Sequence, residues 1–178
     1  QYGFRAGGPI IKDKLFFFVN AEVTRRTEPA SEFRAKRPGL SGEDVASVEA
    51  AELEELRNFL MSEYGYDPGA YEGYNYATEN EKVLLKLDWN INPENKLSLR
   101  YNTMLSRKDR PYFDVNSGDQ NTLPFENSAY VQHNNLHSVI AEWTSNTGPQ
   151  TSNELNVGFT ALRDYREVKG EPFPAVQI

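Results

Sequence analysis

Two interleaved stripes over residues 83–105 constrain this chain more than any other feature in it. Val83, Leu85, Leu87, Trp89 and Ile91 alternate with Leu84, Lys86, Asp88, Asn90 and Asn92. After the turn segment Pro93-Glu94-Asn95, Leu97, Leu99, Tyr101, Thr103 and Leu105 alternate with Ser98, Arg100, Asn102, Met104 and Ser106. Side chains on a strand point to opposite faces with period two, so the pattern predicts a hairpin with one broad apolar face and one face carrying charge. Two environments accept such a face. A soluble sheet buries it against a core, whereas the wall of a membrane barrel turns it to lipid and keeps the inner side polar.

The same rhythm recurs along the chain. Residues 2–9 read as a strand ended by Pro9, which cannot donate to a ladder, and Lys12-Asp13-Lys14 reads as a polar turn. Residues 14–26 follow, with Leu15, Phe17, Val19, Ala21 and Val23 on one face and Phe16, Phe18, Asn20, Glu22 and Thr24 on the other. The hairpin strands span 81–92 and 96–108, and two more strands are predicted over 133–146 and 152–166. The connectors alternate short, long, short, long, short, with the long ones at 27–80 and 107–131. An outer-membrane barrel has short periplasmic turns and longer external loops, so the asymmetry favours a barrel over a sandwich. The predicted fold is therefore all-β: about six strands of an antiparallel up-and-down transmembrane β-barrel, with one helix-containing external loop.

That helix is predicted over 43–64. Ser41 is a candidate N-cap, and Glu43, Asp44, Glu49 and Glu52 suit the positive end of a helix dipole. Val45, Val48, Leu53, Leu56, Phe59 and Leu60 fall near helical spacing, and Gly65 is a plausible stop. The helix has two readings: a docking element for a surface lipoprotein (or a lid), or an element packing its apolar stripe on its own loop.

Composition removes several function classes. The net charge of −7 and a pI near 5.0 leave no basic patch for phosphates, which argues against nucleic acid. With no cysteine there is no disulfide framework, thiolate metal site or cysteine nucleophile. The two histidines, His133 and His137, would lie about 13 Å apart on a strand, too far to share a metal. Asp114, Asn116, Asp119 and Asn121 offer oxygens in a faintly calcium-like order but lack the distal bidentate Glu. No G-x-S-x-G is present, and no catalytic residue, cofactor or metal site is expected. No apolar run reaches the about 20 residues of a membrane helix, which does not bear on barrel strands. The ends, Gln1 and the stretch through Ile178, read as cuts in a longer polypeptide.

The segment GFRAGGPIIKDKLFFF, residues 3–18, closely resembles the GGPI-x-K-D-K-LFFF segment of TonB-dependent outer-membrane receptors that carry a carboxypeptidase-regulatory-like domain upstream. LDWNINPENKLSLRYN (87–102) and SNELNVGF (152–159) are similar to the same family's strands. The resemblance covers the strands and not the loops at 27–80 and 107–131. It implies a signal-peptide-bearing precursor, a barrel of about 22 strands with a plugged lumen, and import of a scarce or bulky solute. The implied partners are outer-membrane lipid, the remainder of the barrel with its plug, and an inner-membrane energy-coupling complex reached through regions outside this chain. Phe16 and Phe18 would then face the plug near the periplasmic end.

Two sets of side chains are candidates for function. Glu22, Lys86, Asp88, Arg100, Asn102 and Glu142 fall on the predicted lumen face, as a solute path or as structural ion pairs on a wet wall. Asp88 and Arg100 are expected to be near cross-strand neighbours. Tyr71, Tyr74, Tyr76 and Tyr112 lie in the long loops, where a ring with a polar tip can stack on a ligand or pack the loop itself. Two other classes fit less of the pattern: a barrel with a structural or assembly role in a surface or secretion complex, and a soluble all-β binding domain.

Overall fold

The computed structural model of the chain describes residues 1–111 and 123–173. Its element order is β1 (Tyr2–Ile11), β2 (Leu15–Pro29), β3 (Arg34–Lys36), β4 (Val45–Glu49), α1 (Ala50–Tyr64), β5 (Asn75–Asn90), β6 (Asn95–Arg110), a 3-10 turn (Glu126–Ser128), β7 (Tyr130–Asn146) and β8 (Ser152–Val168). Six strands form one sheet in the order β1-β2-β5-β6-β7-β8, and β3 pairs with β4 in a second, two-stranded sheet. The large sheet is an open meander with β1 and β8 at its edges. Two compact units are present. One comprises Gln1–Arg25, Glu79–Arg107 and His133–Asp164; the other comprises the described residues of Arg26–Thr78, Lys108–Gln132 and Tyr165–Ile178.

The first unit is the sheet, and its short turns are built by local side-chain chemistry. Asp13 adopts a left-handed φ of 61° in the β1–β2 turn, a conformation Asp tolerates better than most residues. In the β5–β6 turn, Asn92 Oδ1 accepts hydrogen bonds from the Glu94 and Asn95 backbone N–H groups at 3.1 and 2.8 Å. Pro93 presets the turn's φ between them. The three short turns gather at one end of the sheet. Asn90 N–H donates to Lys14 O at 2.8 Å, and Asn146 N–H donates to Glu94 O at 2.8 Å.

Pro9 does not end β1, contrary to expectation. The strand runs to Ile11 with a register shift between Pro9 and Ile11. Pro is tolerated there because it sits beside that shift, where the ladder is already irregular. Opposite, Gly7 pairs with Phe18, and a Cβ at Gly7 would stand 3.0 Å from Phe18 Cδ2. The missing side chain is what lets the Phe18 ring lie across β1. Phe16 and Phe18 are half-buried.

The strands are longer than predicted at the end away from the short turns. β5 begins at Asn75, inside the expected 27–80 loop; Asn75-Tyr-Ala-Thr-Glu-Asn80 has no apolar alternation to mark it as strand.

The second unit has a small core of its own. Ala35, Ala46, Leu53, Tyr71 and Leu123 are buried together, with Phe33, Val48 and Phe125 packed against them. The predicted helix 43–64 is corrected here: α1 starts at Ala50, and residues 45–49 are strand β4. Val45 and Val48 are β-branched, and their strand pairs in parallel with β3, Val45 opposite Arg34 and Glu49 opposite Lys36, with Ala46 buried. Ser41 is not the cap. Glu49 holds that position, and Glu52 Oε2 accepts its backbone N–H at 3.2 Å. Asp44 is instead paired with Arg34, through bonds of 3.1 and 2.6 Å. Gly65 ends the helix as predicted, at φ 64°, its N–H donating to Met61 O while the Tyr66 N–H donates to Leu60 O.

Candidate functional site

On the sheet, the two faces are chemically distinct. The odd-numbered apolar side chains have no second layer over them among the described residues: Leu85 is 41% exposed, Leu99 43% and Val157 60%. Tyr2 and Phe4 on β1, paired opposite Val23 and Ala21 of β2, and Val139 and Trp143 on β7 are exposed on the same face. A soluble sheet would lose about 1.5–3 kcal/mol for each large side chain left in water. An uncovered stripe this continuous is what the lipid-facing side of a barrel wall presents.

The even-numbered face carries the predicted polar set. Glu22 pairs with Lys82 Nζ at 3.3 Å. Asp88 pairs with Lys86 at 2.9 Å on its own strand, two residues away and hence on one face. The expected Asp88–Arg100 pairing is not formed; Arg100 Nε is buried with no hydrogen-bond partner among the described residues. Asn102 and Glu142 lie half-buried on the strands that carry this face. Farther along it, Ser138 Oγ and Thr160 Oγ1 are 2.9 Å apart, bridging β7 and β8. These exposed ion pairs contribute about 0–1 kcal/mol each, so the face is a wet wall dotted with charge rather than a stabilising network.

The tyrosine set is corrected by burial. Tyr71 and Tyr74 are each 8% exposed and pack the second unit's interior. Tyr74 donates its hydroxyl to Pro124 O at 2.8 Å, and burial pushes its phenol well above the ordinary range. Tyr71 packs edge-on against Phe125 at 5.9 Å. Tyr76 is half-buried beside Tyr74, at 5.7 Å between ring centroids. These three rings hold the loop together and offer a ligand little area. Tyr112 lies outside the described residues, as does the Asp114–Asn121 oxygen cluster. No group of metal-holding side chains occurs among the described residues.

Beside the tyrosines, Arg37 and Glu72 form a charged fork. Glu72 Oε2 accepts Arg37 Nη1 at 3.2 Å and the Ala35 N–H at 2.8 Å. The guanidinium also reaches the other carboxylate oxygen, holding Glu72 below the usual carboxylate range. On α1 the second unit exposes Phe59, Met61 and Tyr64.

The sequence reading missed one further cluster. At the end of the sheet away from the short turns, the odd-numbered face turns from apolar to charged. Arg107 binds Glu79 Oε2 through Nε and Nη2 at 2.9 and 2.5 Å. Around them Arg25, Glu81, His133 and Asn135 line an open cleft of about 280 Å³. The signal was present in the period-two rhythm, which continues through Glu79 and Glu81 after the apolar residues stop.

On the same face His137 Nδ1 lies 2.9 Å from Tyr101 Oη and 3.1 Å from Thr103 Oγ1. His133 and His137 both lie on β7.

Comparison with known proteins adds the family evidence. Residues 1–40 match the model of a family described as an outer membrane beta barrel domain. No curated protein and no solved structure matches the chain. The matched segment contains β1 and β2, the hairpin whose apolar residues open the exposed stripe. Match and stripe agree: the chain is an all-β, antiparallel outer-membrane β-barrel segment, and its place is the bacterial outer membrane.

Proposed function

We propose that this chain is wall and outer loop of a TonB-dependent receptor that imports a scarce or bulky solute. The observation that carries the reading is the GGPIIKDKLFFF segment. It resembles that family's early barrel hairpin, and it lies within the residues matched by the outer-membrane barrel model. The charged even-numbered face supports it, because a plugged lumen that admits a hydrophilic solute needs a wet wall. Glu22, Lys86, Asp88, Arg100, Asn102 and Glu142 would line that lumen, and the long connectors would be external and set ligand choice. The step is one of binding and conformational gating, with no chemical catalysis and no cofactor. The rest of the barrel, a plug and an inner-membrane energy-coupling complex complete the machine.

A second reading has its own support. Phe59, Met61 and Tyr64 give α1 an exposed apolar edge, which suits a barrel that anchors a surface lipoprotein in an assembly role. One experiment separates the two. Deleting the gene and supplying candidate solutes at limiting concentration should produce a solute-specific growth defect that dissipating the inner-membrane proton gradient reproduces. Normal growth on every solute, with lipoprotein subunits co-purifying through the loop unit, would replace import by assembly.

A further inference from the structure

The charged cleft on the sheet's outward face belongs neither to the lumen nor to the loop surface. It lies on the face that meets lipid, beyond the last apolar residues of the stripe. Val83 and Leu105 end that stripe on β5 and β6, and Glu81, Glu79 and Arg107 follow on the same odd-numbered rhythm. Its height in the membrane can be read from the strands. Ten residues separate Trp89 from Glu79 on β5, and ten separate Trp143 from His133 on β7. At about 3.3 Å per residue and a tilt near 40°, ten residues rise about 25 Å, the height of a barrel's apolar band. Both tryptophans lie near the short turns, where an aromatic girdle marks one interface. The cleft therefore sits at the other interface. Barrels place their short turns in the periplasm, so this is the head-group layer of the outer leaflet.

The composition of the cleft narrows what it holds there. Arg107 is fixed by two bonds to Glu79, which orients its planar guanidinium, and Arg25 is exposed at the cleft's other side. Guanidinium forks match phosphate oxygens. Glu81, His133 and Asn135 line the same space. Carboxylates repel a bare phosphate, but they accept hydrogen bonds from hydroxyl groups. A head group bearing both phosphate and sugar hydroxyls satisfies both kinds of side chain, and Leu105 gives its acyl root an apolar contact. The outer leaflet of a bacterial outer membrane is built from phosphorylated glycolipid. We infer that the Arg25–Glu79–Glu81–Arg107–His133–Asn135 cleft binds the phosphorylated saccharide head of an outer-leaflet glycolipid.

This inference rests on the outer-membrane location and not on solute import. The test uses the full-length protein containing this chain, purified from outer membranes in mild detergent. Bisphosphorylated lipid A is titrated in while thermal unfolding and native mass are recorded. The wild type should retain and be stabilised by this lipid. Arg25→Ala should weaken binding about tenfold, the loss of one charge-assisted phosphate contact, and the double variant R25A/R107A should abolish it. Lys82→Ala, on the opposite face, should bind as the wild type does. Dephosphorylated lipid A and phosphatidylglycerol should bind at least tenfold more weakly. Equal binding by wild type and Arg25→Ala overturns the site. Equal stabilisation by phosphatidylglycerol overturns the glycolipid assignment. If R25A/R107A fails to show the heat-modifiable mobility of a folded barrel, Arg25→Ala decides alone, because Arg25 is exposed.

Discussion

The two units of this chain treat apolar side chains in opposite ways. In the sheet, Leu85, Leu87, Leu99 and Phe159 stand exposed in rows. In the loop unit, Ala35, Ala46, Leu53 and Tyr71 turn inward onto one another. One polypeptide thus carries two solvents in its design. Where lipid is the solvent, the sequence needs only period two and no interior of its own. Where water is the solvent, even a short insertion must build a core, cap its helix and satisfy its polar groups.

That contrast makes the largest effects easy to place. Leu85→Arg puts a charge at mid-band and should destabilise the folded protein in lipid bilayers by about 2–4 kcal/mol. Its neighbour Lys86→Gln faces the other way and should change stability by less than about 0.5 kcal/mol, as measured by denaturant unfolding in vesicles. Equal costs at 85 and 86 would erase the distinction between the faces.

In the loop unit, Leu53→Ala should cost about 2–3 kcal/mol. The loss should appear as local opening in hydrogen exchange over α1 and β4, with the sheet's protection unchanged.

The next effect is electrostatic and depends on pH. Arg37 holds the Glu72 carboxylate below its ordinary value of 4.5, so the pair stabilises the loop unit fully above that pH. The contribution is lost as pH falls from 4.5 through the lowered value, and amide exchange in β3 should accelerate over that window. Glu72→Ala should remove the pH dependence. It should also cost about 1–3 kcal/mol at neutral pH, because the Ala35 N–H loses its acceptor. Within the loop unit the smallest expected change is Tyr74→Phe, about 1 kcal/mol for the hydroxyl bond to Pro124 O.

Sequence and structure agree best where a single rhythm decides the outcome. The hairpin stripes, the Pro93-Glu94-Asn95 turn and the Gly65 stop were all legible, since each rests on local chemistry that tertiary context did not override. The start of the helix was not. Acidic residues at 43 and 44 imitate a helix N-terminus, and only the pairing of β4 with β3 reveals that Val45 and Val48 belong to a strand. The tyrosines failed for a related reason: abundance in a loop does not tell a buried ring from an exposed one, and Tyr71 and Tyr74 are core. The outward charged cleft lay hidden because Asn75 to Asn80 reads as loop when polar on both faces. The strand there shows in its ladder and carries no apolar stripe.

The central claim is that the odd-numbered side of the sheet touches acyl chains while the even-numbered side is wet. The chain has no cysteine, so single cysteines can be placed at each position from 79 to 91 and spin-labelled in reconstituted membranes. Accessibility to oxygen and to a polar nickel chelate should alternate with period two over 83–91. Positions 85, 87 and 89 should favour oxygen, 84, 86 and 88 the chelate, and the alternation should vanish in favour of the chelate at 79 and 81. Protection of 85, 87 and 89 from both reagents, as in a packed protein interior, would contradict the account.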